Sequence, residues 1–229
     1  YLLSSPVKSL PLLCLVTILV GCNGVHSLPS RELHDRMPKK IIGILGSPLI
    51  KGNTATLLEK ALEGAQAAGA NIERINVPHL NFAPCMEIFY CTEHEGCRIQ
   101  DDMTLIYQKF RELDGLIIAT PVMTMGIPGK LKSFMDRFQV YYMAKYLRKK
   151  PLVPEEKRQT RRCLFISISG MKDPAVFKGA KMTVQAFCKI IDCAYGDEIL
   201  VPDMDTIQDI NKRPEVLQEA YDKGYALGG

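Results

Sequence analysis

Lys40-Ile41-Ile42-Gly43-Ile44-Leu45-Gly46-Ser47-Pro48-Leu49-Ile50-Lys51-Gly52-Asn53-Thr54 decides how the rest of the chain is read. Residues 41–45 form a short apolar run rich in β-branched side chains, bounded by turn residues, as expected of a strand buried on both faces. Beyond Thr54 the period changes: Leu57, Leu58, Ala61, Leu62 and Ala65 make one helical stripe. A strand passing through a glycine-containing loop into a helix opens a βαβ unit, and the same alternation recurs to the end of the chain.

Apolar runs at residues 72–77, 115–119, 163–168 and 199–201 predict four further strands. Between them lie stripes at Met103, Ile106, Tyr107, Phe110 and Leu113, at Leu131, Phe134, Met135 and Phe138, and at Phe177, Ala180, Val184, Phe187 and Ile191, with a last helix after Pro214. Right-handed crossovers then give an α/β fold: a doubly wound five-stranded parallel sheet of order 2-1-3-4-5 in three α/β/α layers. In such sheets a ligand sits beyond the carboxyl ends of the strands, here at the loops after the first and third strands. Residues 78–100 and 141–160 read as long irregular stretches, which are usually functional or flexible.

Composition narrows the classes. The 229 residues are 47% hydrophobic and 24% charged, with a formal net charge of +4. That is one ordinary domain's worth of core, with no concentrated basic face of the kind that marks a nucleic-acid binder. Among the eight cysteines, Cys14, Cys22, Cys163 and Cys188 sit in apolar runs where a reduced thiol packs as a small hydrophobe, so a reducing, cytoplasmic setting is expected. Residues 1–36 read as a segment outside the fold. Their apolar run after Lys8 suits a signal peptide, and Leu19-Val20-Gly21-Cys22 is similar to a lipoprotein lipobox, so membrane attachment is expected only if Cys22 is lipidated. The favoured reading is a translated leader ahead of a start at Met37. Residues 37–229 are then the folded domain.

The loop at residues 46–54 suits a monophosphate. A helix start offers unpaired N–H groups and the positive end of its dipole, Ser47, Asn53 and Thr54 add side-chain donors, Lys51 adds charge, and Gly52 permits close approach. The loop is neither a Walker sequence nor a Gly-x-Gly-x-x-Gly turn. A plain turn capped by Asn53 is the competing reading.

Gly46-Ser47-Pro48 with Gly52-Asn53-Thr54, then Pro84-Cys85, Asp101-Asp102-Met103 and Thr120-Pro121-Val122, together resemble the NADPH-dependent FMN reductase and iron-sulfur flavoprotein branch of the flavodoxin-like superfamily. The resemblance implies FMN as cofactor, NADPH or NADH as co-substrate and a small-molecule electron acceptor. It places the FMN phosphate on Ser47, Asn53 and Thr54, and the isoalloxazine along Pro121, Val122, Met123, Thr124, Met125 and Gly126. Ser169 and Gly170, where the fourth strand ends on the same edge of the sheet, read as a third candidate flavin contact or as a plain strand-to-loop turn. No side chain need act as catalytic acid or base, because the flavin carries the chemistry. Met123 stands where the family commonly has an aromatic residue. A non-enzymatic electron carrier and a cluster-bearing iron-sulfur flavoprotein are the alternatives.

Cys85, Cys91 and Cys97 fall where iron-sulfur flavoproteins carry four cysteines. Ile88 occupies the second position of that motif, so a 4Fe-4S cluster is not expected. Zinc on Cys91, Cys97 and His94 is a further reading, and a thiol-containing loop covering the flavin, with Phe89 and Tyr90 as lid contacts, is another. Lys145, Arg148, Lys149, Lys150, Lys157, Arg158, Arg161 and Arg162 read as a solvated basic segment or as a landing site for NADPH phosphates. The resemblance also implies a homodimer, for which Tyr141, Tyr142 and Tyr146 are candidate interface aromatics.

Overall fold

Strand residues alternate between two faces, and in this chain both faces are apolar. Ile41 and Leu45 of β1 (Lys40–Leu45) join one core cluster, while Ile42 and Ile44 join the other. The same split divides Ile117 and Ala119 from Leu116 and Ile118 on β3 (Gly115–Pro121), and Leu164 and Ile166 from Cys163 and Phe165 on β4 (Arg162–Ile168). A strand that is apolar on both sides must be covered on both sides, which forces three layers. The computed structural model, which describes residues 37–229, has that architecture. The readings of residues 1–36 as leader, signal or lipid-anchored segment lie outside the described residues.

The sheet is parallel throughout, in the order β2-β1-β3-β4-β5, with β2 at Asn71–Asn76 and β5 at Ala194–Val201. The expected flavodoxin-like order is therefore the observed one. On one face lie α1 (Asn53–Ala67) and α5 (Pro214–Gly228). They approach so closely that a Cβ on Gly224 would overlap the Ala61 carbonyl, which fixes the axis of the helix leaving the first loop. On the other face lie α2 (Met103–Glu112), α3 (Gly129–Asp136) and α4 (Lys178–Ile190). Their aromatic rings interlock: Phe138 lies 4.6 Å from Phe110 and 5.0 Å from Phe187, centroid to centroid. Each such buried ring contributes about 1.5–3 kcal/mol through burial.

Two expectations need correction. β5 begins at Ala194 rather than Ile199, because its first half is a polar, largely exposed edge that still pairs with Arg162 and Cys163 of β4. Residues 141–160 are not irregular throughout. Helical turns at Gln139–Tyr142 and Met143–Leu147, the latter π-helical, carry the chain on from α3, and Glu155–Arg158 adds another turn. Phe138, Tyr141 and Ala144, all buried, recur every third residue, so the helical stripe continues beyond α3 up to the start of the basic segment at Lys145.

Candidate functional site

The first loop leaves β1 with the Gly46 N–H donating to the Ala119 carbonyl of β3 at 2.8 Å, so the β1 and β3 ends are tied before the loop turns. Buried Ser47 accepts from the Leu49 N–H at 3.2 Å, and Gly52 N–H donates to the Leu49 carbonyl. Helix α1 then starts with Gly52 at its cap, no side-chain cap bond and no acidic residue in its first turn. Caps of Ser, Thr, Asp or Asn normally satisfy the open N–H groups of a first turn. Here no side chain takes them, and the dipole favours an anion. Thr54 is buried behind the turn and Lys51 is exposed at its tip.

The carboxamide of Asn53 is turned aside. Its Nδ2 donates to the Gln208 carbonyl at 2.8 Å and its Oδ1 accepts from the Ile210 N–H at 3.1 Å. Gln208, at φ 62 and ψ −40, sits in a γ-turn closed by the Asp209 N–H donating to the Ile207 carbonyl at 2.7 Å. That conformation is strained, and Asn53 holds it from both sides. Asn53 thus contributes its backbone N–H to the open end of α1, while its side chain fastens the segment after β5 beside the loop. From behind, Arg74 on β2 donates to the Ile50 carbonyl at 2.8 Å. No motif in the sequence marks Arg74 or residues 203–210 as part of this site.

After β3, Val122 N–H donates to the Ile168 carbonyl of β4 at 2.8 Å. The chain then reverses between Met123 and Gly126, whose N–H groups donate to each other's carbonyls at 2.9 Å. Thr124 and Met125 have φ of 49 and 60. Left-handed conformation at both central positions is a type I′ turn, which favours Asn and Gly; threonine and methionine there are under strain of order 1 kcal/mol each. The turn presents Met123 and Met125 as exposed apolar side chains, with Leu49 and Met171 exposed at the same edge of the sheet. Pro121 ends β3 opposite Ile168.

Ser169 and Gly170 stand where β4 ends, but they are covered from the β5 side. Ser169 accepts from the Met204 N–H at 2.9 Å through its carbonyl and from the Met171 N–H at 3.1 Å through Oγ. A Cβ on Gly170 would overlap the Asp205 carboxylate. The structure therefore gathers all the expected contact positions at one carboxyl-terminal edge, with Ser169 and Gly170 already occupied by chain.

The cysteine loop is placed differently. It runs along the outer side of α3, the Pro78 carbonyl accepting from Lys130 at 2.9 Å and the Ala83 carbonyl from Arg137 at 2.7 Å. Phe89 is exposed, and Phe89 and Tyr90 line a pocket with the three cysteines of the loop. Asp101 and Asp102 fasten it. Asp101 accepts from both Nη groups of the buried Arg137, at 2.6 and 3.1 Å, and from the Ala83 and Met103 N–H groups; Asp102 accepts from the Asn81 N–H at 2.6 Å. Burial opposes ionisation of Asp101, but the Arg137 guanidinium and these N–H groups outweigh it and hold the carboxyl below its ordinary range.

Cys85, Cys91 and Cys97 line one half-open pocket of about 130 Å³ with Ile88, Phe89, Tyr90 and Met143. Burial pushes the Cys91 thiol up. His94 does not join them: its ring stacks on Tyr90 at 4.0 Å, with Nδ1 3.2 Å from the Tyr90 carbonyl. Among the described residues no three His, Cys, Asp or Glu side chains converge on one metal ion, so the zinc reading is corrected.

The basic segment also needs correction. Arg161 is fully buried at the amino-terminal edge of the sheet, where it donates to the carbonyls of Phe110, Leu113 and Ile191. Lys157 pairs with Asp114 at 2.6 Å and Lys145 with Asp192 at 2.5 Å. These three groups close helix and strand ends on the side away from the first loop and cannot meet a nicotinamide cofactor lying there. Tyr141 is likewise buried, its hydroxyl donating to the Tyr107 carbonyl, whereas Tyr142 and Tyr146 are exposed.

An all-parallel 2-1-3-4-5 sheet with an anion-receptive loop after β1 and a reversing turn after β3, both at the switch point, defines a flavodoxin-like α/β protein. A model of the NADPH-dependent FMN reductase family matches residues 39–176, more than half of the chain. The chain belongs to that family. An iron-sulfur flavoprotein of Methanocaldococcus jannaschii is 37% identical over 111 residues, covering 48% of this chain and 58% of that protein. One of Archaeoglobus fulgidus is 35% identical over 106 residues, covering 46% and 54%. The matched region thus spans little more than half the length of these curated relatives. The solved NAD(P)H:quinone oxidoreductase from Methanothermobacter marburgensis superposes with a TM-score of 0.65 at 17% identity, covering 84% of this chain and 98% of that one, a likeness of fold. No described helix is long and apolar enough to cross a membrane.

Proposed function

We propose that this chain is an FMN-containing, NAD(P)H-dependent oxidoreductase of the flavin or quinone reductase type, delivering electrons to a small acceptor in the cytoplasm. The observation that carries the reading is the uncapped start of α1, with no acidic residue in its first turn, beside the turn after β3. A dianionic monophosphate fits that donor set, and a pyrophosphate motif is absent from it. Bound FMN would supply two-electron hydride chemistry at its ring.

The chain's own residues bind, orient and exclude water. The N–H groups of Asn53 and Thr54, with the Ser47 hydroxyl, hold the phosphate. Arg74 and the Asn53 carboxamide brace the loop so that those donors stay aligned. The N–H groups of Thr124 and Met125, which donate to nothing among the described residues, are available to the polar edge of the ring. Met123 and Met125 give its environment a polarizable apolar wall that displaces water. The proposed assembly is a homodimer, with the exposed Tyr142 and Tyr146 in the interface.

Protein purified with FMN added is expected to retain flavin after desalting, and its flavin absorbance is expected to bleach rapidly with NADPH or NADH. Failure to retain flavin defeats the cofactor assignment. Retention without bleaching by either nicotinamide defeats the reductase assignment and leaves an electron carrier.

A further inference from the structure

Relatives of this chain are named as iron-sulfur flavoproteins, yet the cysteine loop does not match the ligand set of a cubane cluster. Such clusters take four thiolates, and in compact runs three of them recur as Cys-x-x-Cys-x-x-Cys. Here Cys85 and Cys91 stand six residues apart with Ile88 midway between them. The fold nevertheless keeps the remainder of a cradle. Cys85, Cys91 and Cys97 line one pocket of about 130 Å³, and Ile88 lines the same pocket. Glu87 and Phe89, on either side of Ile88, are both left-handed, with φ of 50 and 58. Non-glycine residues seldom hold that conformation, so the backbone turns sharply on both sides of Ile88, whose side chain is about half exposed at the pocket. Among the described residues no fourth thiolate lines the pocket, and His94 is stacked on Tyr90 outside it.

We infer that this chain carries no iron-sulfur cluster on the loop, that the block is the single residue Ile88 in an otherwise retained cradle, and that Ile88→Cys alone makes the loop cluster-binding. On the proposed function this means that electrons leave the flavin directly for the acceptor, with no metal relay.

The test uses the full chain, purified anaerobically and incubated with ferrous iron, sulfide and dithiothreitol, then desalted. Iron, acid-labile sulfide and flavin are measured on the same samples, so loss of FMN and presence of iron are read separately. The wild type is expected to hold well under one iron per chain. Ile88→Cys is expected to hold about four irons and four sulfides, with an EPR signal after dithionite reduction, and Cys97→Ser placed on top of it is expected to remove them. Ile88→Leu, which adds no thiolate and keeps the position filled, is expected to stay iron-free. Stoichiometric iron and sulfide in the wild type, whether three or four irons, would overturn the inference. So would a folded Ile88→Cys protein that binds none. Should Ile88→Cys fail to fold, Ile88→Gly reconstituted with 2-mercaptoethanol supplies the fourth thiolate from solution, and absence of a cluster there overturns the retained cradle.

Discussion

The two edges of the sheet treat polar groups in opposite ways. At the amino-terminal edge Arg161, Lys157 and Lys145 are buried or half-buried, and each is answered by carbonyls or a carboxylate. At the carboxyl-terminal edge the N–H groups that open α1 and those of Thr124 and Met125 are left without partners among the described residues, and four large apolar side chains are exposed. Saturated polar groups serve stability, since their partners are already taken. Open donors beside exposed apolar surface serve binding, since a ligand can satisfy both at once. The basic residues that dominate the sequence of one segment therefore say less about ligands than a neutral loop with no cap.

The largest effect should come from the saturated edge. Arg161→Ala strands three buried carbonyls, each costing about 1–3 kcal/mol. Urea unfolding should show a loss of about 3–5 kcal/mol, with retained flavin in whatever fraction stays folded. Unchanged stability combined with a raised KM for NADPH would return Arg161 to ligand binding and break the comparison.

Asp101 comes next. Its folded-state pKa is depressed, so its contribution is full above the ordinary aspartate value of about 4. It is lost as pH falls through the lower folded value. Stability of the wild type should drop steeply across that acid window, while Asp101→Asn should be weaker at neutral pH by about 2–4 kcal/mol and flatter below it. Parallel acid profiles for the two proteins would show that the Arg137 pair does not hold the loop.

At the open edge effects should be smaller and appear in affinity. Ser47→Ala should weaken FMN binding roughly fivefold to tenfold, the worth of about 1 kcal/mol for one hydrogen bond, while leaving the unfolding midpoint of the apoprotein almost unchanged. Arg158→Ala, on the basic segment, should leave both FMN affinity and the KM for NADPH unaltered; a large rise in KM would sharpen the picture by putting one basic residue within reach of the ligand. Smallest is Thr124→Gly, which relieves left-handed strain and should stabilise the apoprotein by about 0.5–1 kcal/mol. A loss of stability on calorimetry would show that the Thr124 side chain holds the turn.

Much of the fold was legible because burial on both sides leaves a plain trace. Ile41-Ile42-Gly43-Ile44-Leu45 and Cys163-Leu164-Phe165-Ile166 cannot belong to a half-solvated sheet, and five such runs separated by helices admit few connections. β5 was read short because an edge strand needs no apolar run to pair. Tyr141 was read as surface because it was assigned to a long irregular stretch, although the apolar stripe of Phe138 runs on through Tyr141 to Ala144. The uncapped helix start after the first loop was legible from its glycine, its small polar residues and the helical stripe beyond them. The bracing by Arg74 and by residues 203–210 was not, since those contacts join positions 24 and more than 150 residues apart.

The strand order and the family membership were written in the sequence, because these depend on local pattern and on chain connectivity. Only the tertiary structure decided which polar groups are free. Asn53 was expected to spend its side chain on phosphate and instead holds a strained turn; Arg161 was expected in solvent or on a ligand and instead closes three backbone ends. Whether a donor is available depends on what the rest of the chain has already brought to it, and that is settled in three dimensions.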